Sequence, residues 1–254
     1  MPSKLAKFTS FKSESTSRKS GAADPADTIS EFVLTSCPFS VILAMDIDYN
    51  VMTKKKSTKN WLNKHTKDRY VKLSQAGSYR SRAFHKLHEI NDKYNIFKSA
   101  KNILDLGSSP GSWSEYVCKN FNDKNLVSID VLEMKPIKGA YFIKGDINNL
   151  DDRKKISLKM SKADLVLSDI APNITGIEDV DQANFVMILE SILGICSDLL
   201  KLNGVLIMKF FIGSSYDFSR KELKKSFSKV DTYKPDSSRS SSNEVFFICN
   251  GYKD

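Results

Sequence analysis

Cysteine and histidine are scarce in this 254-residue chain, which contains four of the first and three of the second. No two cysteines are spaced as a CxxC pair, so the pattern argues against a disulfide framework and against a zinc site, and reduced thiols are expected. No run approaches the roughly 20 apolar residues that cross a membrane. The sequence therefore predicts neither a bound metal ion nor a membrane partner.

Positive charge is abundant, and it is concentrated in one segment. Between Lys54 and Lys86 there are eleven Lys or Arg residues and a single acid, Asp68, which gives a local charge of +10. The whole chain carries +9, so the remainder sums to −1. Because aromatic residues such as Trp61 and Tyr79 interleave with these charges, the segment is predicted to contact nucleic-acid phosphates. The alternative is a solvated basic segment, which is the usual fate of a charge run.

Residues 1–44 differ from the rest of the chain because they are rich in Ser, Lys and Ala and show no clear period. Three interpretations stay open: a targeting peptide, a disordered tail, or a chain whose translation starts at Met45. Acids at Asp24, Asp27 and Glu31 precede the only apolar run there, which argues against a signal peptide with a basic start. We therefore predict three regions, namely an atypical extension over 1–44, a basic helical segment over 45–90 that binds nucleic acid, and a further domain over 91–254.

The hydrophobic pattern predicts an α/β fold. A helical pattern runs from Trp61 through Tyr70 and past Tyr79 to Ile90. Short apolar runs then alternate with helical stretches, notably 112–120 and 181–200. The predicted strands are 102–106, 125–130, 141–144, 164–168, 204–210 and 245–249. Such alternation is typical of a doubly wound parallel sheet that binds ligands at the carboxyl ends of its strands.

A loop of small residues follows the first predicted strand, in the sequence DLGSSPGSW from Asp105 to Trp113. Small residues let the backbone approach a ligand closely, and the helix that follows offers free N–H donors. The loop lacks the middle glycine of GxGxxG and the Gly-Lys-Ser/Thr of a Walker loop. A dinucleotide or triphosphate is therefore disfavoured, and a ligand without phosphates, such as S-adenosylmethionine (SAM), is favoured.

Acidic residues follow the next strands. Asp130 ends the second predicted strand, where a carboxylate can accept both ribose hydroxyls of an adenosine, and Asp146 follows the third strand near the expected adenine edge. Each acid alone is more typical of a turn or a helix cap. Together, in register with the strands, they favour a nucleoside site.

A second group of charged residues falls on later elements. Asp169 follows the fourth strand and Lys209 lies within the fifth, in the apolar setting of IMKFF. A lysine inside a parallel strand is costly unless it is paired or used, although it can also extend its ammonium group to water from the strand end. Glu244 opens the last strand, and Lys86 lies on the basic helix.

These pieces resemble the FtsJ-like ribosomal RNA 2'-O-methyltransferases of the RlmE type. The resemblance is carried by RSRAFHKL at 80–87, DLGSSPGSW at 105–113, SDIAPNITG at 168–176, the strand lysine, and KPDSSRSSSNEV at 234–245. Ser112 departs from the pattern, since relatives often carry a second glycine there. The resemblance implies a Rossmann-like fold with a mostly parallel seven-stranded sheet and helices on both faces. It implies a catalytic tetrad of Lys86, Asp169, Lys209 and Glu244, and SAM contacts at Gly111, Trp113, Asp130, Asp146 and Asp169.

The same resemblance implies methylation of a uridine ribose 2'-hydroxyl in large-subunit ribosomal RNA, late in subunit assembly, by a monomer. The reduced cysteines predict a cytoplasmic location. As a separate hypothesis, Lys209 is the general base that takes the hydroxyl proton. Two alternatives remain. One is a transfer RNA or messenger RNA cap 2'-O-methyltransferase that shares the tetrad. The other is a noncatalytic RNA-binding or assembly factor, which does not need an intact tetrad. A nicotinamide dehydrogenase is disfavoured by the loop.

Overall fold

A computed structural model describes residues 69–76 and 79–253. The basic segment enters this range as two helices, α1 (Arg69–Ala76) and α2 (Ala83–Tyr94). The prediction of a helix running past Tyr79 was wrong at this point, since residues 79–82 are not helical. Just before α2, the Ser81 hydroxyl accepts the backbone N–H of Ala83, the first residue of the helix, at 3.2 Å. The interpretations of residues 1–44, and much of the basic segment, lie outside the described range.

Strands and helices alternate along the rest of the chain. In order, they are β1 (Asn102–Leu106), α3 (Ser112–Asn120), β2 (Asn125–Asp130), β3 (Ala140–Lys144), α4 (Leu150–Lys159), β4 (Ala163–Ser168), α5 (Glu178–Leu199), β5 (Leu200–Phe211), α6 (Tyr216–Ser226), β6 (Phe227–Tyr233) and β7 (Glu244–Tyr252).

The strands form one seven-stranded sheet in the order β3-β2-β1-β4-β5-β7-β6. The first five pair in parallel, and β7 pairs antiparallel with both β5 and β6. The predicted mostly parallel sheet is therefore confirmed. The sequence pattern did not locate β6, because only Phe227 and Val230 are buried in this edge strand and their spacing of three is not a strand period.

Two apolar layers cover the two faces of the sheet. Along β1, Ile103 packs on one layer, while Leu104 and Leu106 pack on the other. The first layer contains the buried faces of α2 and α3, and the second those of α4, α5 and α6. This alternation follows from the period of two in a strand, and it confirms helices on both faces.

Helix α5 has a core-facing stripe. By length and composition alone, this 22-residue helix, in which an 18-residue window has a mean hydropathy of 1.2, is long and apolar enough to cross a membrane. In the fold it buries Phe185, Leu189 and Ile192 against the sheet. Its first turn is fixed by Asp181, whose carboxylate accepts the N–H and hydroxyl of Thr175 at 2.7 and 2.8 Å.

The strand order places the site. The chain moves outward from β1 to β2 and β3, then returns to the other side of β1 with β4, so a crevice opens at the carboxyl ends between them. Strand β7 runs the opposite way, and its first residue, Glu244, pairs with Phe211 at the end of β5. Glu244 thus reaches the same edge of the sheet although it begins its strand.

Candidate active site

A cleft of about 450 Å³ lies at the carboxyl ends of β1 to β4. Its lining combines carboxylates with aliphatic side chains and backbone from the strand-end loops. These residues are Gly107, Ser109, Ile129, Asp130, Val131, Leu132, Gly145, Asp146, Ile147, Asn148, Asp169, Ile170, Ala171, Asn173, Ile188 and Ser191.

Asp130 joins two loops at one side of the cleft. One carboxylate oxygen accepts the N–H of Ser109 at 2.8 Å, and the other accepts the N–H of Leu132 at 2.7 Å. Each carboxylate oxygen has a further lone pair, so the side chain can still accept hydroxyl groups from a ligand. The structure therefore brings this predicted residue to the cleft in a fixed orientation.

Asp146 lies beside it, beyond the end of β3. Its Oδ1 accepts the N–H of Asn148 at 2.8 Å, while its own N–H donates to Asp152 at 2.9 Å. Both the turn interpretation and the ligand interpretation of this acid are thus compatible with its position, because the carboxylate closes a turn and also lines the cleft.

The lining suits SAM. No lysine or arginine among the described residues lines this cleft, so it offers no cationic group for a phosphate. Carboxylates match ribose hydroxyls, and aliphatic side chains such as Ile147 and Ile188 suit a flat heteroaromatic ring. Several carboxylates in one cleft also favour a ligand that carries a positive charge.

Gly111 and Trp113 belong to the loop after β1 but do not line this cleft. Trp113 is 2% exposed, and its indole N–H donates to the carbonyl of Ala83 at 2.9 Å. It lines an adjacent cavity of about 60 Å³, which shares Gly107 and Asp169 with the main cleft. Gly111 precedes α3 with φ of 104°, a conformation that favours glycine. Of the five predicted cofactor residues, Asp130, Asp146 and Asp169 line the main cleft.

Asp105 is a buried acid at the start of the DLGSSPGSW motif, and the sequence predicted no role for it. It is 1% exposed and lines the small cavity, where its Oδ2 accepts the hydroxyl of Ser114 at 2.6 Å. None of the described residues donates a hydrogen bond to its Oδ1. Burial raises the pKa of Asp105 to about 7, and the nearby carboxylates of Asp169 and Asp130 also raise it, against the lowering effect of Ser114.

Lys209 and Asp169 form the first of two lysine–carboxylate pairs. The ammonium nitrogen lies 3.0 Å from Asp169 Oδ1 and donates to the Asp169 carbonyl at 2.5 Å. The Lys209 side chain is only 10% exposed, so it is paired beside Asp169, which lines the cleft, and does not extend freely into water. The pairing interpretation of this strand lysine is therefore the one that the structure supports.

Lys86 and Glu244 form the second pair across 158 residues of sequence. The lysine nitrogen lies 2.6 and 2.7 Å from the two carboxylate oxygens, and the side chains are 10% and 11% exposed. Ser238, which is 7% exposed, donates its hydroxyl to Glu244 at 2.7 Å. The sequence contained Ser238 within the KPDSSR segment, but it gave no signal of this contact.

The segment before Glu244 is attached to α2. The carboxylate of Glu89 accepts the backbone N–H groups of Asp236 and Ser237 at 2.6 and 3.0 Å, and Arg82 donates to the carbonyl of Ser237. Helix α2 therefore carries Lys86 and also holds the loop that brings its partner.

Both pairs lie on the same face of the sheet. Lys209 alternates with Ile207 on β5, and Glu244 alternates with Phe246 on β7, and both Ile207 and Phe246 pack in the layer under α2. The Lys86 ammonium group lies 5.7 Å from the centre of the Phe246 ring. All four predicted tetrad residues thus reach one face at one end of the sheet.

A family model for FtsJ-like methyltransferases matches residues 79–252. This range begins just before the RSRAFHKL motif and ends in β7, so it contains both lysine–carboxylate pairs and the cleft.

Individual relatives agree with the family match. A protein of Pelagibacter ubique named ribosomal RNA large subunit methyltransferase E is 41% identical over 199 residues, which are 78% of this chain and 98% of that protein. One of the same name from Francisella philomiragia is 40% identical over 205 residues, 80% of this chain and all of that protein. A crystal structure described as a ribosomal RNA methyltransferase from Plasmodium falciparum superposes with a TM-score of 0.61 at 33% identity, covering 68% of this chain and 98% of that one.

Proposed function

The chain belongs to the FtsJ-like methyltransferase family, and from that premise we propose that it transfers the methyl group of SAM to the 2'-hydroxyl of a uridine ribose in large-subunit ribosomal RNA. The observation that carries the chemistry is the pairing of Lys209 with Asp169, a carboxylate that lines the cleft. The substrate is supported by the curated relatives, both named for ribosomal RNA of the large subunit, whose length the chain covers almost completely.

SAM is the cofactor, and we assign its adenosine to the main cleft. Asp130 would accept the ribose hydroxyls, and Asp146 would lie at the adenine edge. We assign the amino-acid end of SAM to the side of Trp113 and Gly111, because the small cavity there joins the main cleft at Gly107 and Asp169. Bound SAM supplies a methyl group attached to positively charged sulfur.

Lys209 is our general base. Bound SAM would supply its methyl group to the ribose 2'-oxygen and keep the electron pair of the broken carbon–sulfur bond, while Lys209, acting as the neutral amine, would accept the hydroxyl proton. General-base assistance contributes roughly 10²–10⁴-fold, and alignment of the reacting atoms contributes further. Asp169 orients the lysine nitrogen from 3.0 Å.

Lys86 and Glu244 position the ribose in this proposal. Their mutual hydrogen bonds hold both side chains still, and Ser238 fixes the carboxylate from another direction. Two fixed polar groups on the same face as Lys209 limit how the nucleotide lies in the site.

The basic segment is our phosphate-binding surface. Within the described part, Arg69 and Lys72 are exposed on α1. Backbone contacts of this kind position RNA without reading its sequence, while an extruded or single-stranded nucleotide enters the site. We place the reaction late in the assembly of the large subunit, by a monomer in the cytoplasm.

Transfer of a labelled methyl group from SAM tests the proposal. The substrates are large ribosomal subunits that lack the modification, with naked ribosomal RNA and transfer RNA in parallel. We expect label in large-subunit RNA, recovered as an alkali-resistant dinucleotide, because a methylated 2'-oxygen blocks alkaline cleavage. Preference for subunits over naked RNA supports the late step.

Other patterns of label would redirect the assignment. Label mainly in transfer RNA would contradict the ribosomal substrate. Label recovered in mononucleotides after alkaline hydrolysis would place the methyl group on a base and contradict the 2'-O chemistry. An absence of label in every RNA, despite measurable SAM binding, would favour a noncatalytic RNA-binding factor.

A further inference from the structure

Arg80 makes an unusual set of contacts for a member of the basic segment. Its Nη1 donates to the carbonyls of Pro110 and Lys135 at 2.8 Å each, and its Nη2 donates to the carbonyl of Pro136 at 2.9 Å. One guanidinium group therefore binds three backbone carbonyls that belong to two different loops.

The two loops form one side of the SAM cleft. The loop after β1 contributes Ser109 to the lining, and the loop after β2 contributes Leu132. Asp130 joins them inside the cleft by accepting the N–H group of each. Arg80 joins the same two loops a second time, through carbonyl groups, at residues further along each loop.

Arg80 is itself held in place by α3. Its backbone N–H donates to the carboxylate of Glu115 at 3.0 Å, and the neighbouring Ser81 hydroxyl lies 2.6 Å from that of Ser112. These contacts attach Arg80 and Ser81 to the start of α3 and so hold the guanidinium group against the two loops.

Gly111 leaves the space that this arrangement needs. A Cβ at this position would lie 2.8 Å from Ile137 Cδ1, 2.8 Å from Met134 Sδ and 3.0 Å from Arg80 Nη1. A side chain here would push against the second loop and against the guanidinium group, in addition to the strain of a φ of 104°.

We propose that Arg80 is a positioning residue for the SAM cleft, and that it contributes to cofactor affinity instead of to phosphate binding. The proposal rests on SAM as the cofactor. Without the guanidinium group, three carbonyls lose a charged donor, water enters between the loops, and the cleft is no longer held at the width that the structure shows. A planar fork of donors suits this task better than a single ammonium nitrogen.

The test separates cofactor affinity from RNA affinity. In Arg80→Gln, calorimetric titration with SAM should show a dissociation constant raised roughly tenfold, because charged hydrogen bonds are lost. The KM for SAM should rise by the same factor, with kcat at saturating SAM within about twofold of the wild type. The slope of log Kd against log salt for large-subunit ribosomal RNA should not change, since no phosphate contact is lost.

Lys72→Gln is the matched control, because it removes an exposed cation from the same basic segment. It should leave SAM affinity unchanged and reduce the salt slope by about one. Arg80→Lys keeps the charge and provides a second variant if Arg80→Gln unfolds; its SAM affinity should lie between those of Gln and the wild type. Wild-type SAM affinity in both Arg80 variants, or a reduced salt slope in Arg80→Gln, would overturn the proposal. The SAM titration needs no turnover, so a wrong RNA substrate would leave its result intact.

Discussion

The two halves of the candidate site differ in whether their carboxylates have cationic partners. The half that we assign to the cofactor, around Asp130 and Asp146, contains carboxylates whose described hydrogen-bond donors are backbone N–H groups. The half that we propose to be catalytic contains two lysine–carboxylate pairs, each with a lysine side chain only 10% exposed. One half therefore keeps a net negative charge, and the other compensates its charges internally.

This difference indicates what each half can do. An uncompensated acidic surface attracts a cationic ligand such as SAM and orients it. A compensated pair has little net field, but it holds a reactive nitrogen in one place, which is what proton transfer requires. Substitutions in the first half should therefore change affinity for SAM, and substitutions in the second should change turnover.

The sharpest test of this division is Lys209→Ala. We expect turnover to fall by roughly 10³-fold or more, since both the base and its alignment are lost. Lys209 contacts Asp169, which lines the cleft, but no described contact of Asp130 or Asp146 involves it, so the dissociation constant for SAM should stay within about threefold. Single-turnover methylation and calorimetry measure the two quantities.

Lys201→Ala is the control on the same strand, because this lysine is more exposed and forms an ion pair with Asp164 at 2.6 Å. Its turnover should match the wild type. If Lys209→Ala kept near-normal turnover, the general-base assignment would be wrong.

Asp130→Ala probes the other half. We expect the dissociation constant for SAM to rise by roughly 30- to 100-fold, because the loops lose a shared acceptor and the ligand loses hydrogen bonds to a charged group. At saturating SAM, turnover should recover to within about threefold of the wild type. Asp123→Ala removes an exposed carboxylate that pairs with Lys101, and it should change neither quantity. A turnover defect that persists at saturating SAM would show that the two halves are not separable.

Glu244→Gln tests whether the charge of Lys86 must be balanced by a carboxylate for stability and turnover. The change keeps the shape of the side chain but leaves Lys86 without a carboxylate at a site where both partners are about 10% exposed. We expect the free energy of unfolding to fall by about 1–3 kcal/mol and turnover to fall by roughly 10- to 30-fold.

The double variant Lys86→Met with Glu244→Gln separates these effects, since it removes both charges. Unfolding midpoints should recover toward the wild type while turnover stays low. Recovery of turnover along with stability would mean that the pair is purely structural.

Much of the fold was predictable because the buried strands appear in the sequence as short apolar runs. The predicted strands at 102–106 and 125–130 have the bounds that the structure shows, since nearly every residue in them is buried. Edge strand β6 was missed because its two buried residues, Phe227 and Val230, are three positions apart, which is not the period of a strand.

Parts of the site were less predictable, because they depend on tertiary contacts. The acids at strand ends follow from sheet topology, which the sequence pattern indicates. The role that we propose for Arg80 does not follow from sheet topology, because its partners are backbone carbonyls, which no sequence motif indicates. The same holds for Ser238, whose hydroxyl contacts Glu244 only after β7 has paired with β5.

Asp105→Asn gives the smallest expected effect and sharpens the description of the acidic half. Burial raises the pKa of Asp105 to about 7 in the folded chain, against 3.8 for the ordinary carboxyl group. Between these two pH values the unfolded chain ionises this residue while the folded chain keeps it protonated. The free energy of unfolding therefore falls as pH rises through this window and stays lower above it. Asparagine carries no charge at any pH, and its carbonyl can still accept the Ser114 hydroxyl.

We therefore expect the SAM-free Asp105→Asn variant to melt roughly 3–8 °C above the wild type at pH 8, with the difference shrinking toward zero near pH 4. Thermal unfolding at a series of pH values measures this directly. Asp123→Asn, at an exposed carboxylate whose pKa is lowered by the hydrogen bond from Lys101, should give no stabilisation at pH 8. A pH-independent difference for Asp105→Asn would mean that packing, and not ionisation, sets the cost. The expected result would show that the ionised carboxylate of Asp105, beside the SAM cleft, lowers the stability of the fold. The two lysine–carboxylate pairs differ, because each carboxylate there has a cationic partner.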